Sequence, residues 1–203
     1  MLDKRLIRTI NNGRCFILVG SGPSCEAGYP SWHELAVKTY EELTRTGRVS
    51  DVLSYEKYLT NKKYPEFFRL VERDIGDRND FVNLIKLLLV PPTRNLAVIY
   101  ELIGKWPFAC YLTTNFDDEI VDSLSRMKEH FTVIRNRKED FFSIRDGASN
   151  LIQKLHSDLE HPDEVVLTAV DYQRLYATDA GQYFCDKLRQ IFEMWQCIID
   201  CVN

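Results

Sequence analysis

Three short stretches carry polar residue types able to do chemistry, each where an apolar run gives way to a turn. The first is "VGSGPSCEAGYPSW", Val19 to Trp32. Glycines between a strand and a helix let backbone N–H groups approach phosphate oxygens, and the positive helix end adds to the attraction. Gly20 and Gly22 are followed by Cys25 and only then by Gly28, so the spacing departs from GxGxxG, and plain turn chemistry accounts for the same glycines. The second is "YLTTNFDDEI", Tyr111 to Ile120. Asn115 suits a helix N-cap, with Asp117, Asp118 and Glu119 in a first turn where acids favour the helix dipole. It suits a ligand-facing position equally well, because Thr113, Thr114 and Asn115 gather at the end of a parallel strand, where open α/β sheets place their ligands. The third is "KLHSDL". His156 closes an apolar strand, and its ring titrates close enough to neutrality to act as a base or to serve as a hydrogen-bonded structural residue. His33 falls in the first turn of a helix, His130 follows a charged helix end, and His161 sits in the polar turn "EHPDE".

The elements that position these stretches read as α/β. A helix with Leu6, Ile7 and Ile10 on one side closes at Gly13, and "CFILVG" follows as a strand buried on both faces. "SWHEL" opens a helix with a capping box, Ser31 at the N-cap and Glu34 three residues on. From there to Gly104 the pattern is helical, with Pro65 in a first turn, Gly76 and Gly104 as stops, and Asn79 and Thr93 as N-caps. That is more helix than one crossover between parallel strands requires, so a helical module of about residues 45–105 is expected as an insertion. Its aromatics Tyr55, Tyr58, Tyr64, Phe67 and Phe68 are expected to pack inward. The α/β rhythm then resumes with a strand to Thr113, a helix from about Asp117 to Arg126, and strands at "HFTVI", "LIQKLH" and "EVVLT". Helices follow at "DYQRLY" and "GQYFCDKLRQIFEMW", and "CIIDCVN" opens a further strand.

The composition narrows the class. With 203 residues, 45% of them hydrophobic, the chain suits a single domain spanning 1–203. A net charge of -4 leaves no global basic field, so no direct nucleic-acid partner is expected. The six cysteines lack CxxC spacing, which argues against a zinc ribbon or a redox pair and favours a reducing cytoplasm. The longest apolar run, "LIKLLLVPP", falls far short of the about 20 residues that a membrane span needs.

Taken in order, the three stretches resemble the sirtuin superfamily, in which a "GAGxS" loop, a "TQN" or "TTN" plus aspartate turn and an "HG" strand end build one NAD pocket. The counterparts are "GSGPS" (Gly20 to Ser24) with "AGYPSW", "TTNFD" (Thr113 to Asp117) and "HS" (His156, Ser157). The "PSW" and "TTNFD" forms and the later "VVLTAVDYQRLY" look most like the sirtuin-like NAD-hydrolysing domains of bacterial antiphage systems.

The resemblance implies a Rossmann-like parallel sheet with the helical module inserted and the C-terminal part of the fold missing, since a strand ending in a glycine-serine turn is expected where "QCIIDCVN" stops. It implies that Gly20, Ser21, Gly22 and Ser24 surround the pyrophosphate and adjoining ribose, with Thr114 also in the NAD site, and that Pro30 and Trp32 shape the nicotinamide side. Asn115 would hold the nicotinamide ribose or the attacking water, Asp117 would bind the carboxamide or orient neighbours, and His156 would be the base. The implied activity is hydrolysis of NAD, as substrate, to nicotinamide and ADP-ribose, by an abortive-infection effector that forms a homo-oligomer or joins a sensor subunit. A binding module for NAD or ADP-ribose is the alternative. A protein deacylase is disfavoured, because only Cys185, Cys197 and Cys201 follow the histidine and they lack the paired spacing of a zinc site. Ser157 stands where the family has glycine, which adds a side chain beside the base.

Overall fold

The computed structural model describes residues 4–127, 131–136, 150–194 and 196–200; His130 and Cys201 lie outside them. The apolar run "CFILV" forms β1 (Cys15–Val19). It joins β2 (Cys110–Thr113), β3 (Thr132–Ile134), β4 (Leu151–Lys154) and β5 (Gln196–Asp200) in a five-stranded sheet of order β3-β4-β2-β1-β5. All four pairings are parallel, so the chain has the α/β class and parallel sheet expected from its sequence.

Side chains of successive strand residues leave opposite faces, and both faces are covered. Cys15, Ile17 and Val19 of β1, with Tyr111 and Ile152, pack under α1 (Lys4–Asn11), α7 (Val98–Gly104) and α8 (Glu119–Ser125). Phe16, Cys110, Leu112 and Leu151 pack under α9 (Ala169–Ala177) and α10 (Asp179–Met194). Gly104 ends α7 without a left-handed residue. A Cβ there would lie 2.8 Å from Leu124, so the missing side chain is what lets α7 and α8 approach.

A third core joins α3 (Trp32–Arg45), α4 (Val52–Thr60), α5 (Tyr64–Ile75) and α6 (Arg78–Leu89). Tyr55, Phe67 and Phe68 are fully buried in it, while Tyr58 and Tyr64 are partly buried at its margin. Phe116, Leu159 and Leu167, all from segments beyond the strand ends, belong to the same cluster. The bundle therefore sits over the carboxyl ends of β2 and β4. Arg78 fastens it there, donating to the carbonyls of Pro162 and Val165 and pairing with Glu72 and Asp171.

Local signals set several boundaries. Ser31 and Glu34 form the capping box of α3, and Gly76, at φ 84°, ends α5 in the left-handed region. Two expected caps are displaced. Asp77 rather than Asn79 caps α6, its carboxylate accepting from the Asp80 N–H. Thr93 lies in the loop before α7, which begins after Ala97. The expected strand "EVVLT" is not a strand. It is buried, but the Val166 N–H goes to the His156 carbonyl and those of Leu167 and Thr168 to Asp171, so no ladder partner is left for it.

Candidate active site

Strand register brings the three polar stretches together. Val19 pairs with Thr113, and Thr113 with Lys154, so β1, β2 and β4 finish on one level. Neighbouring strands lie about 4.8 Å apart. Ser21, Asn115 and His156 each follow two residues beyond those ends, and the Leu155 N–H still donates to the Thr113 carbonyl at 2.8 Å, holding the second and third segments in step.

Seven of the ten candidate residues line one small cavity of about 30 Å³: Ser21, Ser24, Pro30, Trp32, Thr114, Asn115 and Asp117. His156 lines an adjoining cavity of about 300 Å³ with Trp32, Tyr64, Thr114 and Tyr172. Trp32 and Thr114 are common to both, so the indole stands at the boundary. That ring is held by Tyr64, stacked at 6.2 Å, and by Phe116, edge-on at 5.9 Å. Gly20 and Gly22 line neither of these two cavities; Gly20 lies just past β1 and Gly22 is the first residue of the short α2 (Gly22–Glu26).

Asn115 is not a helix cap. The helix after it starts at Glu119, whose N–H is taken by the Asp117 carboxylate at 3.0 Å. The Asn115 amide instead reaches back across the sheet end, donating to the Gly20 carbonyl at 2.8 Å and to Ser24 Oγ at 3.1 Å. The Gly20 carbonyl can only accept, which fixes which end of the amide faces it. Both amide hydrogens are then committed to protein acceptors, and the carbonyl Oδ1 is left toward the cavity.

Ser24 is the hub of this arrangement. Its hydroxyl donates to Asp117 Oδ1 at 3.0 Å, so the Tyr100 hydroxyl, 2.8 Å away, donates to Ser24. The network is buried, and a fully satisfied buried network rigidifies its members. Burial pushes the Asp117 carboxyl above its ordinary range, against hydrogen bonds from Glu119 and Ser24 and the charge of Lys154. Burial also raises the Tyr100 phenol, so it stays a neutral donor.

His156 lies against Tyr172, edge-on at 5.2 Å, and tilted toward Phe116 at 6.5 Å. Only 6% of it is exposed, and burial lowers its pKa to about 4, leaving a neutral ring at physiological pH. Its Nδ1 is buried without a hydrogen-bond partner, so Nε2 is the ring nitrogen able to meet a substrate. The neighbouring Ser157 adopts φ 61°, the left-handed region in which glycine is favoured. Its hydroxyl turns to Glu164 at 3.4 Å and lines neither cavity. Ser157→Gly is expected to stabilise the fold by about 0.5–1 kcal/mol, relief of backbone strain outweighing the greater freedom of the unfolded chain. A urea midpoint that falls would show instead that the Glu164 contact dominates.

The other described histidines are occupied elsewhere. His33 lies against Tyr64, and His161 bonds to Asp158, itself paired with Arg135. Sequence reasoning missed Tyr100, Tyr172 and Lys154. Tyr100 gives no local signal, since it lies 76 residues from Ser24. Lys154 does give one: a lysine in a strand covered on both faces must find a partner inside the protein.

An open parallel sheet with its cleft at the carboxyl ends of the strands, closed by glycine-bearing and Asn-bearing turns, is a Rossmann-type architecture. Residues 109–199, a little under half of the chain, match the family model of the SIR2-like domain. It is 29% identical over 178 residues to the NAD(+) hydrolase ThsA of Acinetobacter baumannii, covering 85% of this chain and 33% of that protein. It is 23% identical to the proteins of the same name from Bacillus cereus, over 159 residues, and Cytobacillus dafuensis, over 177 residues. These alignments cover 78% and 87% of this chain and 31% and 33% of those proteins. The chain thus spans about a third of the length of the curated relatives it matches. No helix among the described residues is long and apolar enough to cross a membrane, and no group of three or more His, Cys, Asp or Glu among them is placed to hold a metal ion.

Proposed function

We propose that this site hydrolyses the glycosidic bond between nicotinamide and ribose in NAD, releasing nicotinamide and ADP-ribose. The observation that carries the proposal is the shared level of Ser21, Asn115 and His156 beyond three paired strand ends, with Asn115 Oδ1 free to accept from a hydroxyl or a water. The names of the curated relatives support the same chemistry.

Each group has a part suited to its type. Gly20, Ser21, Gly22 and Ser24 take the pyrophosphate side, where the first N–H groups of α2 have no partner within the helix. Pro30, Trp32 and Thr114 bound the space for the nicotinamide riboside. Asn115 holds the ribose or the water, and Asp117, whose bonds to the protein converge on Oδ1, meets the carboxamide or orients its neighbours. Nicotinamide departs as a neutral ring with the bonding electron pair, water adds to C1′, and the water proton passes to His156 Nε2. Position and an oriented water matter more here than a strong nucleophile. In the cell such an activity would deplete NAD in the cytoplasm as an antiphage, abortive-infection response, with a homo-oligomer or a sensor subunit as its control. The helical module of about residues 45–105 is part of the same proposal, as the insertion that covers the site.

Incubating the folded protein with NAD and following the products by chromatography tests this. Equimolar nicotinamide and ADP-ribose are expected. A binding module for NAD or ADP-ribose is the alternative. Calorimetric binding without product formation would select it, and absence of both binding and turnover would end both proposals.

A further inference from the structure

Lys154 closes β4, and its side chain is wholly buried. An ammonium group in a protein interior has to be paired and hydrogen-bonded. Its Nζ crosses from β4 to the turn that follows β2, donating to the Phe116 carbonyl at 3.2 Å and to Asp118 Oδ1 at 2.6 Å. Those two residues flank Asp117, and Phe116 directly follows Asn115. On its own strand Lys154 stands two residues before His156, and its carbonyl accepts from the Ser157 N–H at 3.2 Å. One side chain therefore ties the segment bearing Asn115 and Asp117 to the segment bearing His156.

We propose that Lys154 is a positioning residue for the reaction, fixing the 114–118 turn so that Asn115 and Asp117 face the same substrate as His156. This rests on the NAD-hydrolase proposal above. The positive charge has a second effect on the same groups, since it opposes the influence of burial on Asp117 and Asp158.

Geometry separates this role from one of stability alone. Asp118 is 61% exposed on its side chain, so water can solvate it once the lysine is gone. Removing the ammonium then strands no buried charge, and the cost to the fold is that of the Phe116 carbonyl left without this donor. What methionine cannot do is hold the Phe116 carbonyl.

Lys154→Met is therefore expected to keep its melting temperature within about 10 °C of the parent, while kcat for NAD falls about tenfold or more and KM changes by less than about threefold. Amide hydrogen exchange, which does not depend on turnover, is expected to be about tenfold faster at Asn115 and Glu119, the two turn amides bonded within the segment. Asp118→Asn removes the charged partner from an exposed position and serves as the second variant, with a drop in kcat of about threefold expected. A kcat per folded molecule within about twofold of the parent in both variants overturns the proposal. If the parent itself releases no nicotinamide, the hydrolase proposal fails on its own account. Exchange then decides the structural half: unchanged rates at Asn115 and Glu119 overturn the positioning role, and faster rates retain it.

Discussion

Asn115→Ala is expected to lower kcat for the proposed NAD cleavage by about a hundredfold or more, because the site loses the acceptor assigned in that proposal to the ribose or the water. The substitution also carries a stability cost of roughly 1–3 kcal/mol, since the buried Gly20 carbonyl and Ser24 lose their donor. The two effects are separable through a third side chain. Asn115→Asp preserves shape and supplies acceptor oxygens, but one of them must face the Gly20 carbonyl, and a second carboxylate is placed beside buried Asp117. Stability is therefore expected to fall from the parent to Asn115→Ala and again to Asn115→Asp, measured by urea unfolding at neutral pH. If the Asn115→Asp variant were as stable as the parent, the amide could not be oriented as described. Turnover within about tenfold of the parent in Asn115→Ala, normalised to folded protein, would remove Asn115 from the reaction.

The legible parts of this fold are those whose causes are local. Ser31 and Glu34 stand three residues apart and satisfy each other, so the start of α3 can be read from five letters. Gly76 marks its helix end because a left-handed residue is needed there and glycine supplies it. Asp77 and Asn79 are both acceptable caps in composition, and only the folded backbone decides that Asp77 takes the Asp80 N–H. The stretch "EVVLT" has the apolar, β-branched content of a buried strand, and it is buried. Its hydrogen bonds go instead to His156, His161 and Asp171, partners that no periodicity announces.

The same division runs through the site. The types and order of the polar stretches were visible, but the reason Asn115 is not a cap lies in a glycine carbonyl 95 residues away. Tyr100 and Lys154 belong to the site's frame through contacts 76 and 38 residues long, set by strand register and helix packing rather than by spacing. Ser157 shows both aspects. Its departure from glycine is plain in the sequence, yet only the backbone, at φ 61°, shows that the consequence is strain rather than a side chain in the cavity.

The burial of His156 gives the second large effect, a pH dependence displaced to the acid side. Burial lowers the folded-state pKa to about 4, against an ordinary value near 6.5. Between those two values the unfolded chain binds a proton at this residue and the folded one does not. Stability from this residue is accordingly intact above about pH 6.5 and declines as the pH falls toward 4; the gap corresponds to about 3 kcal/mol. His156→Phe is expected to flatten that part of the stability profile and to abolish turnover. For the intact protein, kcat/KM reports the free enzyme, so its acid limb is expected near pH 4 rather than 6.5, once corrected for folded fraction. An acid limb in kcat/KM near 6.5 would place the working imidazole in water rather than in the buried cleft between Phe116 and Tyr172. Unaltered turnover in His156→Phe would assign the proton transfer to another group.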